Sequence, residues 1–378
     1  MSIDLWQSLR RVAELQGSDL HLKVGSPPAV RIAGTLRPLE GAAPLAPEDT
    51  EHALDDMLTD TGRLEEFAAE NEVDFAFEMP GVARFRVNAF RQRSSISIAC
   101  RLIPFSAGTI PDLGLPDVVR ELAEEPRGII LVTGTTGSGK STTLAAMVDH
   151  VNTTVARHIV TIEDPIEFLH HDKRSIINQR EIGSDTRSFH RALRRVLRQD
   201  PDIILIGEIR DEETVRTALS AAETGHLVLS TLHTIDAAKT VDRIVGVFPK
   251  DQEPQIRTRF AQSFRYVISQ RLLPKTGGGR VAVLEILKST MRTRDYVMKG
   301  ENEGRSLTDA MHDGSVDGMQ TFDDQLEKLW QQQTITKDVA MAYATNPTNL
   351  ALRLTDDQAP PKAEKEAEEG ESMLSMLE

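Results

Sequence analysis

The spacing of apolar residues divides this chain into two parts. In the first part, apolar residues within 3–15 recur at helical spacing, and 18–24 then alternates apolar and polar positions as a half-buried strand does. The patterns that follow are a strand and turn at 30–34, helices at 47–58 and 60–70, and strands at 73–78, 83–91 and 95–102. This mixture predicts a small α+β domain over residues 1–103.

Strand and helix patterns alternate regularly in the second part. Residues 104–116, which read PFSAGTIPDLGLP, are rich in proline and glycine and are the predicted linker between the parts. Strand patterns at 128–133, 158–162, 203–206 and 227–230 alternate with helical patterns at 141–151, 187–198 and 211–223. This order predicts an α/β fold with a doubly wound parallel sheet, in a domain over residues 117–353. Helical patterns dominate from 236 to 344, interrupted by a short strand pair near 280–287.

Composition and charge narrow the class of protein. The 378 residues are enough for two domains, and 58 acidic against 44 basic residues give a formal charge of −14, which argues against a nucleic-acid partner. Cys100 is the only cysteine, so neither an internal disulfide nor a cysteine-rich zinc site is possible. No run approaches the roughly 20 apolar residues of a membrane span, and the N-terminus has no apolar signal core. We expect a cytoplasmic protein without direct membrane insertion, with a disordered acidic tail over 354–378.

The segment between the strand at 128–133 and the following helix has the sequence of a phosphate-binding loop. Its residues are Gly134, Thr135, Thr136, Gly137, Ser138, Gly139, Lys140, Ser141 and Thr142. Glycines let successive backbone N–H groups turn toward a phosphate, and the helix N-terminus favours the same anion. Lys140 is expected to reach the β- and γ-phosphates and the Ser141 hydroxyl to coordinate Mg²⁺. The sequence therefore predicts binding of ATP with Mg²⁺.

Two further strands end in acidic residues that suit hydrolysis. The strand before Glu208 is apolar, as a Walker B strand is, and Glu208 is expected beside Mg²⁺. Glu163 ends another strand at what should be the same sheet edge, and is the candidate general base that activates water. The alternative is a helix-capping or turn cluster before Pro165, which would explain Asp164.

The histidines and arginines are open to two interpretations. His226 and His233 flank the strand at 227–230, where either could contact phosphate, although a lone histidine is more often structural. Arg86 and Arg101 lie in strands that alternate apolar and basic residues. Such a pattern is typical of a solvated strand face, but the same side chains could also act as arginine fingers on bound ATP.

Taken together, these motifs resemble those of the PilT/PilU-type retraction ATPases of type IV pili, within the secretion-ATPase superfamily. The similarity extends over about residues 1–350. The segments that carry it are SDLHLKVGSPPAVRIAG, ARFRVNAFRQR, GTTGSGKSTTLAAM, TIEDPIEFLHH, LRQDPDIILIGEIRD, AAETGHLVLSTLHT and ISQRLLP.

The resemblance implies a PAS-like N-terminal domain joined to a RecA-like ATPase domain, in a homo-hexamer with ATP between the domains. Glu163 would be the catalytic glutamate of an Asp box and Glu208 the acid of an atypical Walker B motif. His226 and His233 would belong to a His box, and Arg86 and Arg101 match the spacing of arginine fingers. The implied partners are an inner-membrane platform protein of the pilus and a paralogous retraction ATPase, at the inner face of the cytoplasmic membrane.

The branch within the family stays open. The stretch 291–301 retains little of the AIRNLIRE-like motif of PilT proteins, which favours a PilU-like accessory paralogue, whereas Arg271-Leu-Leu-Pro and the glycine run 277–279 are PilT-like. Other hypotheses are a regulatory nucleotide-binding module and a pilus-assembly or type II secretion ATPase. Assembly ATPases typically carry a CxxC zinc module, which one cysteine cannot build. A RecA-like nucleic-acid motor is disfavoured because no aromatic–basic stacking surface is evident.

Overall fold

A computed structural model describes residues 4–32, 34–302 and 306–354. Most of the residues before 104 form a six-stranded antiparallel sheet with three helices. The helices are α1 (Leu5–Glu14), α2 (Pro47–Met57) and α3 (Thr61–Glu70), and the strands are β1 (Asp19–Lys23), β2 (Ala29–Ile32), β3 (Thr35–Pro38), β4 (Glu72–Met79), β5 (Ala83–Gln92) and β6 (Ser95–Ile103). The strand order is β3-β2-β1-β6-β5-β4. Its apolar face packs against the three helices in a separate core, as the α+β pattern predicts.

The second sheet has seven strands, of which all but one run parallel. Its elements up to the last strand are α4 (Val118–Ala123), β7 (Gly128–Thr133), α5 (Lys140–Thr154), β8 (His158–Glu163), β9 (Ile176–Glu181), α6 (Phe189–Val196), β10 (Ile203–Ile206), α7 (Glu212–Glu223), β11 (Leu227–Leu232), α8 (Ala237–Val245), α9 (Glu253–Ser263), β12 (Phe264–Pro274) and β13 (Arg280–Lys288). The strand order is β13-β12-β7-β11-β10-β8-β9.

Helices cover both faces of this sheet. Side chains of successive residues in β7 point to opposite faces, so Leu131 packs with helices α6 to α9 while Ile130 packs with α4 and α5. The sheet is therefore doubly wound, as predicted. Its carboxyl edge, where β7, β8, β10 and β11 end, is the edge at which open α/β sheets bind ligands.

The last helices pack against the antiparallel end of the sheet. They are α10 (Met291–Lys299), α11 (Leu307–Asp313), α12 (Phe322–Gln331), α13 (Lys337–Tyr343) and α14 (Pro347–Arg353), with a 3₁₀ turn at Ser315–Asp317. Phe322 and Trp330 of α12 form a small core with β12 and β13. Of the predicted tail 354–378, only Leu354 lies among the described residues.

Two strands of the second sheet were not predicted. Residues 264–274 were expected to be helical, yet β12 lies next to the central strand β7, and the expected short pair near 280–287 is a long β12–β13 hairpin. A strand buried on both faces gives a continuous apolar run, and such a run is ambiguous between a strand and a buried helix. The edge strand β9 was not predicted either, because its sequence, IINQRE, is mostly polar.

Two ion pairs and a ring contact join the first part of the chain to the second. Arg84 and Arg86 of β5 lie 3.4 and 3.6 Å from the carboxylates of Glu181 and Glu167, respectively. The rings of Phe105, in the predicted linker, and His171 stack with centroids 4.9 Å apart. These contacts place β5 beside the loop that follows β8.

Candidate nucleotide site

The loop at 134–139 has the strand–loop–helix setting that phosphate binding requires. Strand β7 is buried along its whole length and α5 begins directly at Lys140. Gly134, Gly137 and Gly139 all have positive φ values, of 147°, 80° and 92°. Residues other than glycine rarely adopt this backbone conformation. The loop therefore curls back over the N-terminus of α5, where the helix dipole favours an anion.

Lys140 lies beneath this loop. Its ammonium donates hydrogen bonds to the backbone oxygens of Gly134 at 2.9 Å and Thr135 at 3.1 Å. Burial lowers the pKa of Lys140, and the negative charge of Glu208 opposes that shift. The side chain is thus already directed to the loop, within the same pocket as the strand-end acids.

A cavity of about 890 Å³ opens over the loop, within the size range of small-molecule and cofactor sites. It is lined by residues of the loop and α5 (Thr136, Gly137, Gly139, Lys140, Ser141 and Thr142) and by residues at or just after the carboxyl ends of the strands (Glu163, Asp164, Glu167, Gly207, Glu208, Arg210, Thr231 and His233). The cavity brings together the three groups that hydrolysis needs, a phosphate-binding loop and two acids from different strands.

Glu163 is the last residue of β8 and faces this cavity. Its Oε1 accepts hydrogen bonds from Thr161 Oγ1 at 2.6 Å and from Gln179 Nε2 at 3.4 Å. Burial raises the pKa of Glu163, and the nearby charge of Glu167 adds to this, while the two donors oppose it. A carboxylate with a raised pKa is a better proton acceptor than an exposed one, which suits a general base.

Glu208 follows β10 at the same edge. Its carboxylate lies 2.8 Å from the guanidinium of Arg210 and 3.7 Å from Nε2 of His233. In the part of the chain that the structure describes, no group of three or more His, Cys, Asp or Glu side chains could hold a metal ion. Oxygen donors from one or two side chains together with phosphate oxygens are what Mg²⁺ usually takes, and Ser141 and Glu208 on this cavity fit that pattern.

The two histidines lie at opposite ends of β11. His233 follows the carboxyl end of β11 and lines the cavity, whereas His226 precedes the amino end of the same strand. The Nδ1 atom of His226 is hydrogen-bonded to the carbonyl of Ala221 at 2.9 Å, which ties β11 to the end of α7. The structure thus brings His233 to the site and does not bring His226 there.

Arg86 and Arg101 lie directly opposite each other on β5 and β6. Neither lines the cavity of its own chain. Arg86 pairs with Glu167 at 3.6 Å, and Arg101 donates from Nε to Asp19 at 2.8 Å. The predicted spacing therefore makes them neighbours, but places both outside the nucleotide cavity of the same chain.

The cavity also contains residues that the sequence did not single out. Arg187, His190, Arg210 and Arg280 line it. Arg210 could have been found, because it stands two residues after Glu208 at the same strand end. Arg280 begins β13 and carries no local signal, since it reaches the cavity only through pairing of strands distant in sequence.

No helix among the described residues is long and apolar enough to cross a membrane.

Comparison with known proteins gives consistent matches. Residues 80–341 match the family model described as type II/IV secretion system protein. The chain is 46% identical to the type IV pilus retraction ATPase PilT of Pseudomonas aeruginosa over 92% of its length and 100% of the relative. It is 40% identical to the type IV pilus ATPase PilU of the same organism, over 92% of this chain and 90% of that protein.

A solved structure shares the fold. The crystal structure of the pilus retraction motor PilT with bound ADP superposes with a TM-score of 0.84 at 44% identity, covering 93% of this chain and 100% of that one. At this identity and coverage, the likeness extends to both sheets. An α/β fold that joins a P-loop ATPase domain of the RecA type to a smaller N-terminal domain is thereby confirmed, as is the capacity of the fold to bind an adenine nucleotide.

Proposed function

Because this chain belongs to the type II/IV secretion system protein family, and within it to the PilT/PilU-type retraction ATPases, we propose that it is a motor that hydrolyses ATP to retract type IV pili. The cavity that unites Lys140, Glu163 and Glu208 carries the chemical part of this proposal. The 46% identity of this chain to PilT, over the full length of that protein, supports the role in pilus retraction.

The roles of the site residues follow from their positions. Backbone N–H groups of residues 134–139 bind the phosphates, and Lys140 leaves its two loop carbonyls to contact the β- and γ-phosphates. Glu163 orients the attacking water and accepts its proton, which its raised pKa favours. His233, beside Glu208, is placed to respond to charge at the γ-phosphate.

Mg²⁺ is proposed as the metal cofactor of this site. When bound, it neutralises charge on the β- and γ-phosphate oxygens. Ser141 would hold it through its hydroxyl, which is exposed in the first turn of α5, and Glu208 through its carboxylate.

The position of the arginines favours an oligomer. Since Arg86 and Arg101 lie outside the cavity of their own chain, we assign their arginine-finger role to the nucleotide of a neighbouring subunit, in a homo-hexamer.

The proposed partners are a pilus platform protein in the inner membrane and a paralogous retraction ATPase. The proposed location is the inner face of the cytoplasmic membrane, without insertion and without nucleic acid. Domain limits of 1–103 and 117–353, joined by a linker at 104–116 and followed by a disordered tail, complete the proposal.

A deletion strain tests this function directly. Cells without the protein should carry excess surface pili and lose retraction, and the wild-type gene should restore both. The Glu163→Gln variant should fail to restore them while still binding ADP, because only the base is lost. Glu51→Gln, an exposed acid on α2, is the control that should restore retraction fully.

Other outcomes identify other functions. Bald cells would indicate an assembly ATPase. Normal pili with weakened retraction under load would indicate a PilU-like accessory motor. Unchanged pili would contradict a motor role and favour a regulatory module.

A further inference from the structure

Gln270 lies directly behind the phosphate-binding loop, although 130 residues separate it from Lys140 in the sequence. It belongs to β12, which runs parallel to β7, and its neighbour Ser269 pairs with Thr133, the last residue before the loop. Only 3% of the surface of Gln270 is exposed. This side chain therefore stands where β7 becomes the loop.

The amide of Gln270 joins the loop to the helix that follows it. Its Nε2 donates to the backbone oxygen of Ser138 at 2.8 Å, and its Oε1 accepts from Thr143 Oγ1 at 2.7 Å. Thr143, in the first turn of α5, is 1% exposed. Both bonds are therefore shielded from water, where hydrogen bonds fix geometry most strongly.

The close approach of Gln270 also explains why two loop positions are glycine. A Cβ atom at Gly134 would lie 2.4 Å from the backbone oxygen of Gln270, and one at Gly139 would lie 2.7 Å from its Nε2. Both distances are shorter than side-chain contacts allow. The loop is thus pressed against Gln270 at both of its ends.

We infer that Gln270 is a positioning residue for nucleotide binding, which holds the loop in its phosphate-binding curvature through Ser138 and Thr143. By fixing one carbonyl of the loop on the side of β12, it leaves the backbone N–H groups free to face a phosphate. A loop held in this way binds without first becoming ordered, which saves conformational entropy on binding. This inference rests on the proposed nucleotide site and adds to it a residue outside the loop motif.

Binding of ADP with Mg²⁺ to the purified full chain tests the inference. Gln270→Leu removes both hydrogen bonds, and we expect the Kd for ADP to rise by about 10- to 100-fold, as loss of a buried hydrogen-bond partner typically gives. Thr143→Val removes one bond at constant shape and should give a smaller increase. Gln320→Leu is the matched control. Gln320 donates a hydrogen bond of 2.7 Å to the backbone oxygen of Leu284, and it does not line the cavity. It should leave the Kd unchanged even if thermal stability falls.

A second variant separates positioning from folding. Gln270→Glu keeps the acceptor for Thr143 but, when ionised, turns a carboxylate oxygen toward the oxygen of Ser138. Protonation of this carboxylate restores a donor. The Kd of the Gln270→Glu variant for ADP should therefore fall, relative to that of the wild type, as the pH is lowered. A purely structural role would change the melting temperature without this pH dependence.

The outcomes distinguish this inference from the site assignment. If Lys140→Ala abolishes binding while Gln270→Leu and Gln270→Glu bind as tightly as the wild type, the role of Gln270 is wrong and the site stands. If Lys140→Ala also binds normally, the site assignment itself is wrong.

Discussion

At the scale of single residues, the carboxylate of Glu163 is controlled by its neighbours. Burial raises its pKa, and the hydrogen bond from Thr161 at 2.6 Å lowers it by stabilising the charged form. The basicity of this group therefore results from an opposition between burial and hydrogen bonding. Removing the Thr161 donor should leave the rise due to burial opposed by fewer hydrogen bonds.

Thr161→Val should move the acidic limb of the pH profile of kcat to higher pH. Without the hydroxyl, the pKa of Glu163 rises further, so the base is protonated and inactive over a wider acidic range. The measurement is kcat for ATP hydrolysis as a function of pH. Thr50→Val, a buried threonine of α2 that donates to a backbone oxygen, is the control with an unshifted limb. An unchanged profile in Thr161→Val would assign the base role to another group.

At the scale of elements, β13 carries a buried acid outside the nucleotide cavity. Glu285 is 3% exposed and accepts a hydrogen bond from the backbone N–H of Ala237, the first residue of α8, at 2.8 Å. Burial raises its pKa to about 7; Asp236 and Asp323 add to the rise, and Arg271 opposes it together with the hydrogen bond. The folded protein thus holds this carboxyl neutral at pH values where an unfolded chain ionises it.

Glu285→Gln should stabilise the protein at alkaline pH. Since the folded pKa lies above the ordinary value of 4.5, the wild-type protein loses stability as the pH rises from about 4.5 to about 7. The neutral amide avoids this loss, which is on the order of 3 kcal/mol. The difference in melting temperature between variant and wild type should be large at pH 8 and small at pH 5. A difference independent of pH would show that Glu285 does not titrate in this range.

The contrast between loop and hairpin shows what the sequence could reveal. The glycines around Lys140 and the acids Glu163 and Glu208 were predicted because each depends on a short stretch whose setting can be recognised locally. Gln270 and Arg280 were not, because Gln270 reaches the loop only when β12 pairs with β7, and Arg280 reaches the cavity only when β13 pairs with β12. Pairing between strands far apart in sequence leaves no periodic signal of its own.

At the scale of the whole molecule, the arginines outside the cavity allow a test of assembly. Mixing chains with Arg86→Ala and Arg101→Ala with chains carrying Lys140→Ala should give more ATP hydrolysis than the sum of the separate proteins. In mixed rings, an intact cavity of one chain meets intact arginines of the other. The rate is measured against the mixing ratio, and Arg86→Lys with Arg101→Lys, which keeps the charge, serves as the control.

Absence of any gain on mixing would contradict an arginine-finger role toward the nucleotide of a neighbouring subunit. A fall in melting temperature of the arginine variants would show instead that Arg86 and Arg101 stabilise the strand pair β5–β6. Native oligomer size should therefore be measured on the same samples.

The ion pairs that join the first part of the chain to the second restrict how segments of this protein can be exchanged with those of a relative. Arg84 and Arg86 stand on β5, while Glu181 is the last residue of β9 and Glu167 lies in the loop after β8. The Arg84–Glu181 pair is largely buried, so a chimera that kept one member alone would bury an unpaired charge. In chimeric retraction ATPases built from this chain, β5 and the segment 163–181 should therefore be exchanged together.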